Sequence, residues 1–271
     1  MKFLTFCLYA ICVYVSLLSC ERVVDVALNE VAPRYVIEAT INNNGICRVL
    51  LSATAPVAGA DSFAVIRNAS VSISDNNSAP VILSEKQPGE YQSSTMKGRP
   101  GHTYHLRVKI NKQEFTATSV MPAVVVKPDS VYFTAEAVSG SDHLIANVWY
   151  KDPVGAGNYY RFIQYVNERK ERTVFVNNDK LNDGKAVAYP LFYLNSDNNE
   201  KRNIDRGDTV RIELQCIDAG MYRYWYSLST VSGTQLFAAV TPANPVSNIS
   251  GGALGYFSAF TSRSIRVILL P

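Results

Sequence analysis

The sequence predicts a mainly β chain with one short helix, and three observations carry that expectation. Apolar and polar residues alternate through much of the 271 residues, the period of a strand with one buried face. Turn signals of the Asn, Asp and Pro-Gly type punctuate the alternation at short intervals. One stretch near 219–232 breaks the period and sets Met221, Trp225 and Leu228 at helical spacing.

The elements follow in order. Strands are expected near 34–41 and 46–54. Ala69, Val71 and Ile73 alternate with Ser70, Ser72 and Ser74 and run into Asp75-Asn76-Asn77-Ser78, a turn because Asn and Asp tolerate left-handed backbone. Pro88-Gly89 and Pro100-Gly101 mark further turns. Tyr104, Leu106, Val108 and Ile110 alternate with His105, Arg107 and Lys109, and Asn111-Lys112 separates them from residues 114–118 as a hairpin. About seven short strands by residue 121 suit a β-sandwich over 34–122.

Pro122 and Pro128 bracket a linker at 123–129, since proline removes a backbone donor and restricts the residue before it. A second β-rich domain is expected over 130–271. Its strands lie near 131–133, 144–149, 159–166, 172–176 and 209–217, with turns at Asp183-Gly184 and Gly207-Asp208. Asp218 is the expected N-cap of the helix, and Gly233 its terminator. Gly251-Gly252 and Gly255 are expected to turn the chain into a last pair of strands at 254–259 and 263–269.

The amino terminus reads differently. Lys2 is followed by an apolar stretch of about 16 residues, a secretory pattern that is marginal in length for spanning a bilayer. Leu17-Leu18-Ser19-Cys20 resembles the bacterial lipobox, which implies a signal peptide over 1–19, cleavage after Ser19, and lipid on Cys20. Each buried methylene of such chains contributes about 0.8 kcal/mol, so several chains anchor stably. Residues 20–33 would serve as anchor and tether. Cys7 and Cys12 leave with the signal, and Cys47 and Cys216 are expected as separately buried thiols.

Chemistry is thin. The formal charge of +3 gives no electrostatic reason to expect nucleic acid. His102 and His105 have opposite parity on one strand and should not share a metal. No zinc-protease helix, nucleophile elbow or phosphate loop is present. Asp179, Asp183 and Gly184 suggest a calcium loop only in outline, because Leu181 stands where an oxygen ligand belongs. The expectation is therefore no catalytic residue, no metal, no cofactor and no enzyme. The candidate ligand-contacting residues are aromatic: Tyr159, Tyr160, Tyr222, Tyr224, Trp225 and Tyr226; a bound sugar could stack on the last four, and the alternative for these helix aromatics is a face packed on a sheet.

Four stretches together resemble a family. They are Arg34-Tyr35-Val36-Ile37-Glu38-Ala39 after the cysteine, with Pro88-Gly89-Glu90-Tyr91 leading to residues 98–106. Next are Gly157-Asn158-Tyr159-Tyr160-Arg161-Phe162, then Gly207-Asp208-Thr209-Val210 running into Asp218 and Tyr222-Arg223-Tyr224-Trp225. The last is Asn244-Pro245-Val246-Ser247-Asn248-Ile249 with residues 251–257. The order and spacing resemble a domain-of-unknown-function family of Bacteroidetes outer-membrane lipoproteins, often encoded beside TonB-dependent transporters. The resemblance implies an immunoglobulin-like or transthyretin-like amino-terminal sandwich, then a second β-rich domain with the aromatic helix. It also implies a lipid-anchored outer-membrane location, and the acids Glu21, Asp25 and Glu30 after Cys20 suggest cell-surface exposure. The expected role is an accessory protein binding a ligand or partner for TonB-dependent uptake, with a structural or adhesive surface lipoprotein as the alternative. A glycine is expected in the turn before Phe115, where this chain has Asn111-Lys112-Gln113.

Overall fold

A computed structural model describes residues 32–54, 63–138, 141–193, 203–231 and 244–270. Cys20, the signal sequence, most of the tether and Gly233 lie outside these residues. The chain is mainly β with one short helix, the fold class that the periodicity indicates.

Strands β1 (Tyr35–Asn42), β2 (Ile46–Ala53), β3 (Ala64–Val65), β4 (Ser70–Asp75), β5 (Val81–Gln87), β6 (Glu90–Lys97), β7 (Thr103–Ile110) and β8 (Gln113–Val120) build the first half. Then come β9 (Pro128–Val138), β10 (Ser141–Lys151), β11 (Tyr159–Val166), β12 (Arg169–Lys170), β13 (Phe175–Asn178), β14 (Ala186–Pro190) and β15 (Thr209–Ile217). Helix α1 (Ala219–Val231) and β16 (Leu254–Ile268) follow. One sheet runs β12-β11-β15-β16-β1-β2-β6-β5-β4-β7-β8, with β13 beside β11 and β3 beside β2; a smaller one runs β14-β10-β9.

Local chemistry explains the turns. Ile110 pairs with Gln113, so Asn111-Lys112 is a two-residue hairpin turn. Asn111 takes φ 54° there, a left-handed conformation that asparagine tolerates; this is why no glycine is needed. Gly89 and Gly184 hold positive φ at their turns.

Strand parity sorts the side chains. Tyr104, Leu106, Val108 and Ile110 are buried with Ile37, Ala39, Ile41, Cys47, Val49 and Leu51 in a first core. A second core holds Tyr160, Phe162, Val210, Ile212, Leu214 and Cys216 against Ala146, Val148, Tyr150 and Val187 from the smaller sheet. Cys47 and Cys216 are both buried free thiols, one in each core. The segment between the prolines is held at both ends: Val126 N–H donates to Cys216 Sγ at 3.4 Å and Thr261 Oγ1–H to the Val124 carbonyl at 3.2 Å.

The end of the sheet corrects one expectation. Residues 254–268 form a single strand, not a pair, because nothing in Phe260-Thr261-Ser262 breaks extended backbone. The strand instead changes partner. Residues 254–260 run parallel to β1, from Val36↔Leu254 to Asn42↔Phe260. Residues 261–268 run antiparallel to β15, from Cys216↔Thr261 to Thr209↔Ile268. Edge groups of β16 are met by side chains. Asn248 receives Phe257 N–H at 2.9 Å and donates to the Phe257 carbonyl at 2.7 Å, and Asn43 receives Ser262 N–H at 2.9 Å. Phe257 and Ala259 enter the first core while Tyr256 and Phe260 face α1.

Candidate functional site

Helix α1 starts at Asp218, whose Oδ1 accepts Met221 N–H at 2.8 Å, an N-cap bond that satisfies one of the free amides of the first turn. Met221, Tyr224, Trp225 and Leu228 then fall on one face. They pack on the outward side of β11, β15 and β16 with Ile217, Phe260 and Tyr256.

The six candidate aromatics divide by direction. Adjacent strand residues point opposite ways, so Tyr160 enters the second core while Tyr159 faces the helix. The Tyr160 hydroxyl donates to the buried Asp152 carboxylate, and burial followed by that acceptor raises its pKa. Tyr159 lies 5.1 Å from Tyr222, and Tyr222 lies 5.9 Å from Tyr226, ring centre to ring centre. Asn178 Nδ2–H fixes the Tyr222 hydroxyl at 2.8 Å, and Tyr226 is exposed. Tyr224 and Trp225 are buried; their rings meet edge-on at 5.0 Å and both contact Tyr256.

Beside Trp225 opens a cavity of about 350 Å³. Its wall is β11 (Arg161, Ile163), the segment 170–174, α1 (Trp225, Leu228), and Glu38 with Tyr256 from β1 and β16. The Arg161 guanidinium lies 3.4 Å from the centre of the Trp225 ring, a cation–π stack. Its hydrogen-bond acceptor is Gln215 Oε1 at 3.5 Å, and Gln215 in turn donates to Glu213 at 2.8 Å. Among the described residues Arg161 forms no ion pair. Burial lowers its pKa, and Lys170 is lowered by burial and then by the charge on Arg161. Glu171, also in the wall, accepts Thr173 N–H and Oγ1–H, both at 2.9 Å. Among the described residues the buried Trp225 indole N–H has no acceptor. The cavity thus concentrates donors and positive charge over an aromatic floor.

Two other groupings are self-satisfied. Asp152, Asp179 and Asp183 bring carboxylate oxygens within 4.8 Å of one another, yet all three carboxylates accept local donors. Asp152 takes Gly184 N–H at 3.0 Å besides Tyr160, Asp179 takes Gly157 and Asn158 N–H at 2.7 and 2.8 Å, and Asp183 takes Gly155 N–H at 2.7 Å. They staple three loops together. A second cavity, about 530 Å³, lies beside His102, whose Nδ1 is 2.6 Å from Asp75 Oδ1. His105 points away from it, with Nδ1 3.0 Å from Thr118 Oγ1.

The chain matches the family described as Domain of unknown function (DUF4249) over residues 21–266, nearly its whole length. It belongs to that family. A search of curated proteins returns no match to the chain. The family match begins at the residue after Cys20 and ends inside β16, so the cavity, the first core and all of the second core but Leu269 fall within the shared domain.

Arg161 and Lys170 are the residues that sequence reasoning passed over. Arg161 shares parity with Tyr159, a signal that was present, but its meaning depends on knowing that α1 covers that face.

Proposed function

We propose that this chain is a lipid-anchored outer-membrane accessory protein of a Bacteroidetes cell, gripping a ligand or partner for a TonB-dependent uptake system, and that it acts by binding, not by catalysis. The observation that carries the reading is the junction at Cys20. The family domain starts at residue 21, directly behind Leu17-Leu18-Ser19-Cys20, so a lipid on Cys20 would tether the domain through its own first residues. Among the described residues no helix is long and apolar enough to cross a membrane. The cavity over Trp225 supports a binding role, since its size and its few convergent polar groups are those of a small-molecule site.

The test is co-purification of the tagged chain from detergent-solubilised native membranes. A stoichiometric TonB-dependent transporter is the expected companion, and Cys20→Ala is expected to release the chain from the membrane fraction. A chain that stays membrane-bound and repeatedly brings down no transporter would end the uptake reading and favour adhesion.

A further inference from the structure

We infer that the cavity between β11, the 170–174 segment and α1 binds a small organic carboxylate, held by Arg161 and Lys170. The inference deepens the uptake reading by naming what the site takes.

Arg161 and Lys170 both line the cavity, and among the described residues neither forms an ion pair. The Arg161 guanidinium carbon lies 3.4 Å from the centre of the Trp225 ring, and the hydrogen-bond acceptor of the guanidinium is a neutral amide oxygen. The charge on Arg161 in turn disfavours the charged form of Lys170. A partly buried charge without an ion-pair partner is costly. A carboxylate supplies that partner, because its two oxygens match the guanidinium fork and leave lone pairs for the ammonium. The acids in the wall do not already fill that role. Glu171 is engaged by Thr173, and Glu38 stands exposed at the rim, with no ion pair to either cation among the described residues.

The remaining wall selects the body of the ligand. Ile163, Val174, Leu228 and Tyr256 offer apolar contact, so the body is a compact ring or short chain. Two sources fit this chemistry: an acidic sugar and an aromatic acid.

The test is calorimetric titration of the detergent-purified chain with galacturonate and with phenylacetate, each against its neutral counterpart, galactose and phenylacetamide. At least one acid is expected to bind at least tenfold more tightly than its neutral partner. Galacturonate alone would mark the saccharide source and phenylacetate alone the aromatic one; both support the site. Lys170→Gln, on a two-residue exposed strand, is expected to fold normally and to weaken binding about tenfold or more; Arg161→Gln is expected to abolish it. The chain has two tryptophans, so Trp149→Phe leaves Trp225 as the only one, and whichever acid binds should then shift its emission. Failure of both acids to bind, or binding unchanged by Lys170→Gln, overturns the inference. No transporter is present in this titration, so its failure is distinct from failure of the co-purification.

Discussion

Ser119 donates its hydroxyl proton to Asp218 Oδ2 at 2.6 Å, joining the end of β8 to the start of α1. The same Asp218 oxygen accepts Val120 N–H at 3.0 Å, while Ser119 Oγ accepts Ala259 N–H from β16 at 2.9 Å. One buried hydroxyl therefore connects helix cap, hairpin and shared strand. Asp218→Ala removes an N-cap worth about 1 kcal/mol and a hydrogen bond to a charged group worth about 1.5–3 kcal/mol. A loss of about 2–4 kcal/mol is expected in urea unfolding. Ser119→Ala leaves the Ala259 amide unmet and should lose about 1–3 kcal/mol.

Gly255 and Gly252 separate steric collision from backbone strain. Both have positive φ, 98° and 84°. A side chain at Gly255 would strike the Ile37 carbonyl on β1, whereas one at Gly252 meets nothing within 4 Å. Gly252→Ala should cost about 1–2 kcal/mol from the left-handed backbone alone. Gly255→Ala adds overpacking of about 1–3 kcal/mol and should be clearly the worse of the two in thermal unfolding. Equal effects would mean that β1 and β16 do not approach so closely.

Gln164 is fully buried on β11, and among the described residues neither its amide nitrogen nor its oxygen has a partner. Its parity points it into the second core with Phe162 and Val166. Replacing an unmet buried amide with an apolar group of similar size removes a desolvation penalty of about 1–3 kcal/mol. Gln164→Leu is therefore expected to raise the melting temperature by a few degrees. A lower value would reveal a partner for the amide in the folded protein.

Alkaline pH should unfold the chain. Burial pushes the Cys47 thiol from about 9 up to about 12 and the Tyr189 phenol from about 10 up to about 12. Both groups favour their neutral form when folded, so their contribution is complete below pH 9 and is lost as pH rises toward 12. The urea midpoint should fall across that window, and Cys47→Ala should flatten the part that begins near pH 9. In the native state neither Cys47 nor Cys216 should react with a thiol reagent at pH 8, because the thiolate is the reactive species and burial raises both thiols.

Much of the fold was legible because period-two alternation reports burial directly. Tyr104 to Ile110, the Asn111-Lys112 turn, the Asp218 cap and the two separated thiols all follow from local patterns. The course of β16 did not. A strand that changes partner between Phe260 and Thr261 leaves no mark in its own residues, since pairing is a property of the neighbours. The meaning of Asn248 was hidden for the same reason: its amide replaces a missing strand beside Phe257. The candidate site was half legible. Aromatic residues were visible as a class, but β11 is covered on both faces, so alternation could not tell which of them line a cavity. Arg161 resembled an ordinary outward-facing charge until α1 was laid over it.

The pairing of β1 with residues 254–260 also sets an order of events for a chain made from its amino end. Arg34 donates to the Gly252 carbonyl at 2.7 Å across 218 residues of sequence, and the neighbouring strands zip along the same span. Synthesis from the amino end delivers β1 early and residues 254–260 more than 200 residues later. Until then Ile37, Ala39 and Ile41 border an unpaired strand edge, a template for aggregation. Completion of the first core is thus timed by the arrival of the far end of the polypeptide, and a product truncated before residue 254 would lack the strand that closes β1.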